Sequence, residues 1–227
     1  MVKHCIHCGH HKLYTLANGH LKCAACKRKI SPAKVERTLH LVDAFCNNMT
    51  ALEASKACQC SYMTAKSHYD QIRILIAQYL EARYNDHALN IKEFDEYFYL
   101  EQSKKRSEKT IFDLRNFLTF DYGGKVYNIL MPSLKKYRTN LFDESMPEEY
   151  YHQFARFLTF RRVARLKHLD NTIVKFWNFF EKHIKQYRGV DEDHFFYYLK
   201  EAEFKFNYTL KEQKEIILSL LYKHYVA

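Results

Sequence analysis

Four of the seven cysteines fall in two pairs, Cys5-Ile-His-Cys8 and Cys23-Ala-Ala-Cys26, with 14 residues between them. A C-x2-C turn aims two thiolates at one point, and two such turns complete the tetrahedral shell of a zinc ion. In a reducing compartment paired thiols are metal ligands more often than disulfides, with redox pairs as the alternative. Cys5, Cys8, Cys23 and Cys26 are therefore read as a structural Zn2+ site. His4, His7, His10, His11 and His20 crowd the same stretch, but four thiolates already fill the shell. The histidines are placed at the surface, where some could meet phosphate. Cys46, Cys58 and Cys60 lack the pairing, and the first two read as small buried side chains. A second chemical signal is Asp95, inside the strand-like run IKEFDEYFYLEQ. An acid there is either paired with a cation or placed to hold a metal.

The elements that must position these residues follow from periodicity. Between the cysteine pairs, HKLYTLANGHLKC reads as two short strands around Asn18-Gly19, the outline of a zinc ribbon. After Ser31-Pro32, the residues Val35, Leu39, Val42 and Phe45 form the apolar stripe of a first helix. Thr50 with Glu53 predicts a capping box opening a short second helix, which ends at Gln59-Cys60-Ser61. A third helix from Tyr62 turns Ala65, Tyr69, Ile72, Ile76 and Tyr79 inward. Three helices with a tight turn before the last fit a helix-turn-helix. Met63, Thr64, Lys66, Ser67 and Asp70 then point outward, where polar and basic tips can reach bases and phosphates.

Residues 84–87 read as a junction. Beyond them, the strand with Asp95 is followed by TIFDLRNFLTF and KVYNILMP around Asp121-Tyr122-Gly123-Gly124, a hairpin signal. Mostly helical sequence follows, which suits an α/β region with antiparallel leading strands. In NTIVKFWNFFEKHIKQY, the residues Ile173, Phe176, Trp177, Phe180, Ile184 and Tyr187 make one apolar helix face. Val174 lies on its flank.

The totals agree with a multidomain α+β protein. The chain has 227 residues, 47% of them apolar, with 17 Phe and 18 Tyr against 5 Gly and 3 Pro, so a packed, helix-rich fold is expected. No 18-residue apolar run and no signal-type N-terminus is present, which predicts a cytoplasmic protein without membrane contact. The formal charge of +10 favours a polyanionic partner, most often nucleic acid. Basic clusters suited to DNA are Lys27, Arg28 and Lys29; Lys104, Lys105 and Arg106; and Arg161, Arg162 and Arg165.

Taken together, the motifs resemble bacterial insertion-sequence transposases with a zinc ribbon, a helix-turn-helix and an RNase H-like core, the DDE-type, ISXO2-like group. EFDEYFYL (93–100) looks like the family's first catalytic strand, with Asp95 on its first Asp. GKVYNILMP (124–132) is similar to the third strand, NTIVKFW (171–177) to the N-x-I-E-x-F-W helix, and YLKEAEFKFN (198–207) to the terminal signature. The resemblance implies a zinc ribbon over 1–30, a helix-turn-helix domain over 31–84 and an RNase H-like core over 85–227. It further implies double-stranded DNA as partner, a homodimer, and strand nicking and transfer at element ends by Mg2+ held between three carboxylates. Lys182, Lys185 and Arg188 fall where the family has a basic residue near the active site.

Two departures stand out. The family's second Asp has Asp143 as its candidate here, with Pro132 or Ser133 as the counterpart under another alignment. The third acid, the Glu of N-x-I-E-x-F-W, is Val174. Asp170 lies about 6 Å earlier along the helix axis and is the expected surrogate, whereas Glu181 is about 10.5 Å later. Two readings follow: a metal-dependent transposase using Asp95, Asp143 and Asp170, or a catalytically inactive, repurposed zinc-containing DNA-binding protein.

Overall fold

The computed structural model describes residues 3–87, 91–101, 114–133, 171–187 and 189–222. Among the described residues are six helices and two three-stranded antiparallel sheets, a mixed α/β composition. They fall into two compact units, residues 1–83 with 186–227 and residues 84–185.

The first unit opens with strands β1 (Leu13–Thr15), β2 (Leu21–Cys23) and β3 (Lys29–Ile30), in the order β1-β2-β3. The turn between β1 and β2 needs a left-handed residue, and Gly19 supplies it at φ +76°. Helix α1 (Pro32–Cys46) starts where Ser31 Oγ accepts the Lys34 amide and Pro32 fills the first turn. It ends in a Schellman motif: Asn48 sits at φ +60°, and the Met49 amide donates to Ala44 at 3.0 Å. The predicted capping box of α2 (Ala51–Ala57) is present, with Thr50 and Glu53 bonded reciprocally. Gln59, at φ +48°, closes α2 in the same way and turns the chain within four residues into α3 (Tyr62–His87).

Ala65, Tyr69, Ile72 and Ile76 face inward as expected and pack with Leu41, Val42 and Phe45 of α1. Two further helices complete this core: α5 (Glu192–Asn207) contributes Phe204, and α6 (Leu210–Leu221) contributes Ile217. The ribbon has its own small cluster of Cys5, Ile6, Cys23, Ile30 and Val35.

The second unit holds β4 (Glu93–Tyr99), β5 (Arg115–Asp121) and β6 (Val126–Leu130), paired in sequence order, and helix α4 (Thr172–Ile184). The register sets Asp95 opposite Thr119 and Thr119 opposite Asn128. Side chains alternate across a sheet, so these three share one face with Tyr97 and Phe117. Helix α4 covers that face: Trp177 lies 4.9 Å from the Tyr97 ring, and Phe180 meets Phe117 edge-on at 5.4 Å.

Candidate metal centre and nucleic-acid interface

The four paired cysteines converge. Their sulfurs all lie within 4.8 Å of one another, with Cys5–Cys26 and Cys8–Cys23 each at 3.6 Å. A tetrahedron with Zn–S bonds of about 2.3 Å has edges near 3.8 Å, so this donor set fits a zinc-sized ion. The two turns are built alike: the residue after each pair is left-handed, Gly9 at φ +73° and Lys27 at φ +61°. In the first turn, the Gly9 amide donates back to the Cys5 carbonyl at 2.8 Å.

The thiols differ electrostatically. Burial pushes Cys5 up to about 12. Burial also opposes the Cys23 thiolate, but the Cys26 and Ala25 amides and neighbouring thiols outweigh it and bring Cys23 down to about 6. Among the described residues this is the group of three or more His, Cys, Asp or Glu side chains placed to share a metal. The crowding histidines are not part of it.

The exposed side of α3 carries the residues expected there. Met63 is 69% exposed, and Lys66 and Ser67 are exposed beside it. Met63, Lys66, Ser67, Asp70 and Ile74 line one shallow hollow. A second hollow lies between α1 and α3, where Lys34 and Arg37 face Thr64, Ser67 and His68. The sequence reading missed Lys34, Arg37 and His68. The signal was available, since Lys34 and Arg37 stand three apart on the polar side of the α1 stripe. Burial lowers the pKa of His68, and the two cations lower it further.

The Asp95 face is organised differently. Thr119 and Asn128 are fully buried, and Thr119 Oγ1 donates to Asn128 Oδ1 at 2.7 Å. Trp177 Nε1 donates to Thr119 Oγ1 at 2.9 Å. Asp95 accepts the Glu96 amide at 2.8 Å, and the Tyr97 hydroxyl donates to Glu181. Asn171 caps α4 through the Val174 amide and donates to Glu93 Oε1 at 2.8 Å, tying the helix start to β4. Val174 itself is buried at 5% exposure. Lys182 and Lys185 are exposed at the far end of α4. Asp143, Asp170, Lys104, Lys105, Arg106, Arg161, Arg162, Arg165 and Arg188 lie outside the described residues. None of the described helices is long and apolar enough to cross a membrane.

Comparison with known proteins gives one informative likeness. An "uncharacterized transposase-like protein" of Haemophilus influenzae is 38% identical over 52 residues, 22% of this chain and 42% of that protein. The aligned part is thus less than half of the relative's length, and over it the chain is transposase-like in sequence. No family model matches the chain, and no solved structure matches it.

Proposed function

We propose that this chain is a zinc-stapled, transposase-like DNA-binding protein. The observation that carries the reading is the exposed tip of α3, behind a four-cysteine centre in a chain of charge +10. The transposase-like relative supports it. In this reading α1, α2 and α3 are a helix-turn-helix, and α3 enters the major groove with Met63, Thr64, Lys66 and Ser67 leading. Lys34, Arg37 and the ribbon cations Lys27, Arg28 and Lys29 hold the phosphates. Zinc at Cys5, Cys8, Cys23 and Cys26 is structural and keeps the ribbon folded. The protein acts in the cytoplasm on double-stranded DNA, as a homodimer if it joins two element ends.

A second reading, metal-dependent nicking and transfer at element ends by an RNase H-like core, is favoured by Asp95 lying on the sheet face that α4 covers. Mg2+ held by Asp95, Asp143 and Asp170 would stabilise charge on the attacking and leaving oxygens. Against this stands Val174, a buried hydrocarbon where the resembled family has its third acid. It favours a chain that binds DNA without cutting it.

The test uses full-length, zinc-loaded protein and duplexes from the DNA flanking its gene, incubated with Mg2+ or Mn2+. Salt-sensitive binding without nicks is the expected result. Defined nicks that vanish in Asp95→Asn would establish the catalytic reading instead. Absence of binding at low salt would overturn both.

A further inference from the structure

The exposed tip of α3 is connected to a buried charge cluster that the DNA-binding reading does not use. Arg73, on α3, is 4% exposed. Its Nε donates to Glu201 Oε2 of α5 at 2.7 Å, and a terminal nitrogen donates to Asp70 Oδ1 at 3.1 Å. Its guanidinium carbon lies 4.1 Å from the centre of the Tyr198 ring. Burial works against the Arg73 charge, but Glu201 and the Tyr198 and Tyr187 hydroxyls more than offset it, so the net shift is upward. Glu201 is fully buried, accepts the Tyr187 hydroxyl at 3.1 Å and pairs with Lys205 at 2.8 Å. Lys205 donates to the Phe45 carbonyl at 2.8 Å, in the last turn of α1. That turn holds no basic residue of its own, so α5 supplies the cation that the helix end favours.

The series ends at the surface. The other Asp70 oxygen accepts from Lys66 Nζ at 2.7 Å, and both side chains line the hollow on the exposed side of α3. Glu201, Arg73, Asp70 and Lys66 therefore alternate in charge from the core to the face proposed to read DNA. We infer that Glu201 is a positioning residue for DNA recognition: through Arg73 it holds the Asp70 carboxylate, and through that carboxylate it sets Lys66 on α3. The inference rests on the DNA-binding reading above. It makes α5, from the C-terminal part of the chain, a working part of the recognition unit although Glu201 is too deeply buried to touch DNA.

The mechanism follows from where the guanidinium turns. With Glu201 neutral, Arg73 keeps Asp70 as its acidic partner and draws that carboxylate inward, away from Lys66. Lys66 then keeps its charge but loses its fixed place. Attraction to phosphate survives, because it depends on charge. Discrimination among bases weakens, because it depends on geometry.

The experiment uses the full-length zinc-loaded protein as wild type, Lys66→Ala, Glu201→Gln and Asp70→Asn. Each selects from a pool of random-sequence duplexes at one salt concentration, and is then titrated with the enriched duplex and a scrambled one. Melting curves report folding. The expected result is that Glu201→Gln loses preference at the same base positions as Lys66→Ala. Discrimination between the two duplexes falls about tenfold, with affinity for the scrambled duplex changing little. A Glu201→Gln protein that folds and enriches the wild-type motif overturns the inference. Asp70→Asn breaks the same series at a partly exposed site, outside the core. An unchanged motif in that variant overturns the inference even where Glu201→Gln does not fold. A wild-type protein that binds neither duplex instead overturns the DNA-binding reading itself, a failure visible before any variant is compared.

Discussion

The cysteine centre and the Asp95 face of the second sheet both gather polar side chains, and they do so for opposite ends. In the ribbon, two turns with a left-handed residue after each pair bring four sulfurs within 4.8 Å of one another. Four thiols that close to one another are an arrangement that protons alone hold poorly and one metal ion holds well. On the sheet face, Thr119 donates to Asn128 and receives Trp177, and Val174 fills the flank of α4 with hydrocarbon. Those polar groups bond directly to one another. The lesson is that convergence alone does not make a metal site; what matters is whether the converging atoms need the metal.

The largest expected effect comes from removing metal from the first region. Structural zinc sites of this donor type bind with about 10–16 kcal/mol, and that binding energy is folding energy. The full chain should hold one zinc per ribbon. After chelation, amides such as Cys5 and Cys23, bonded to the His10 and Arg28 carbonyls, should lose their protection from hydrogen exchange. Cys23→Ser should do the same without chelator. A metal-free ribbon that keeps these amides protected would break the contrast from its strong side.

Val174→Glu tests the other region. The position is 5% exposed, and an uncompensated carboxylate there should cost on the order of 3 kcal/mol. Millimolar Mg2+ should not restore the lost stability, as read from denaturant melts. Restoration by Mg2+ that disappears in Val174→Glu/Asp95→Asn would show a latent carboxylate site and erase the distinction. Trp177→Phe is the milder probe of the same face. It removes the indole donor from Thr119 and leaves the Thr119–Asn128 bond, so about 1–2 kcal/mol is expected. A loss within error would mean that the buried polar row contributes nothing to holding α4.

These contrasts also explain which parts of the molecule were legible in the sequence. The cysteine spacing specified its own geometry because each pair closes within one local turn. The Thr50–Glu53 capping box and the inward stripe of α3 were readable for the same reason, since their partners lie three or four residues away. The buried acidic partner of Arg73 was not readable. Glu201 lies 128 positions along the chain, and nothing in the local pattern of YLKEAEFKFN distinguishes a buried Glu from a solvated one. The grouping of residues 186–227 with 1–83 depends on such distant pairs. Lys34 and Arg37 are an intermediate case: the helix was evident, but the neighbour that makes them a groove, His68, comes from another helix.

His68 gives the smallest effect and the most specific one, because it tests whether that groove is built for phosphate. Burial first, and then Lys34 and Arg37, lower its pKa from the ordinary 6.5. The unfolded chain therefore takes up a proton more readily than the folded one. The stability this contributes is complete above pH 6.5, begins to be lost as pH falls through that value, and is gone below the folded-state pKa. His68→Gln should flatten this part of the stability profile, measured by urea melts across the range. Bound phosphate reverses the sign of the local field, since an anion beside His68, Lys34 and Arg37 favours the protonated ring. DNA binding should then take up a proton, and affinity should rise as pH falls toward the lowered pKa of His68 in the free protein. Titrations in two buffers of different ionisation heat would count that proton. Uptake in the wild type that disappears in His68→Gln would place a phosphate in the groove between α1 and α3. Equal uptake in both proteins would move the contact elsewhere and leave the cations of that groove without a role in DNA binding.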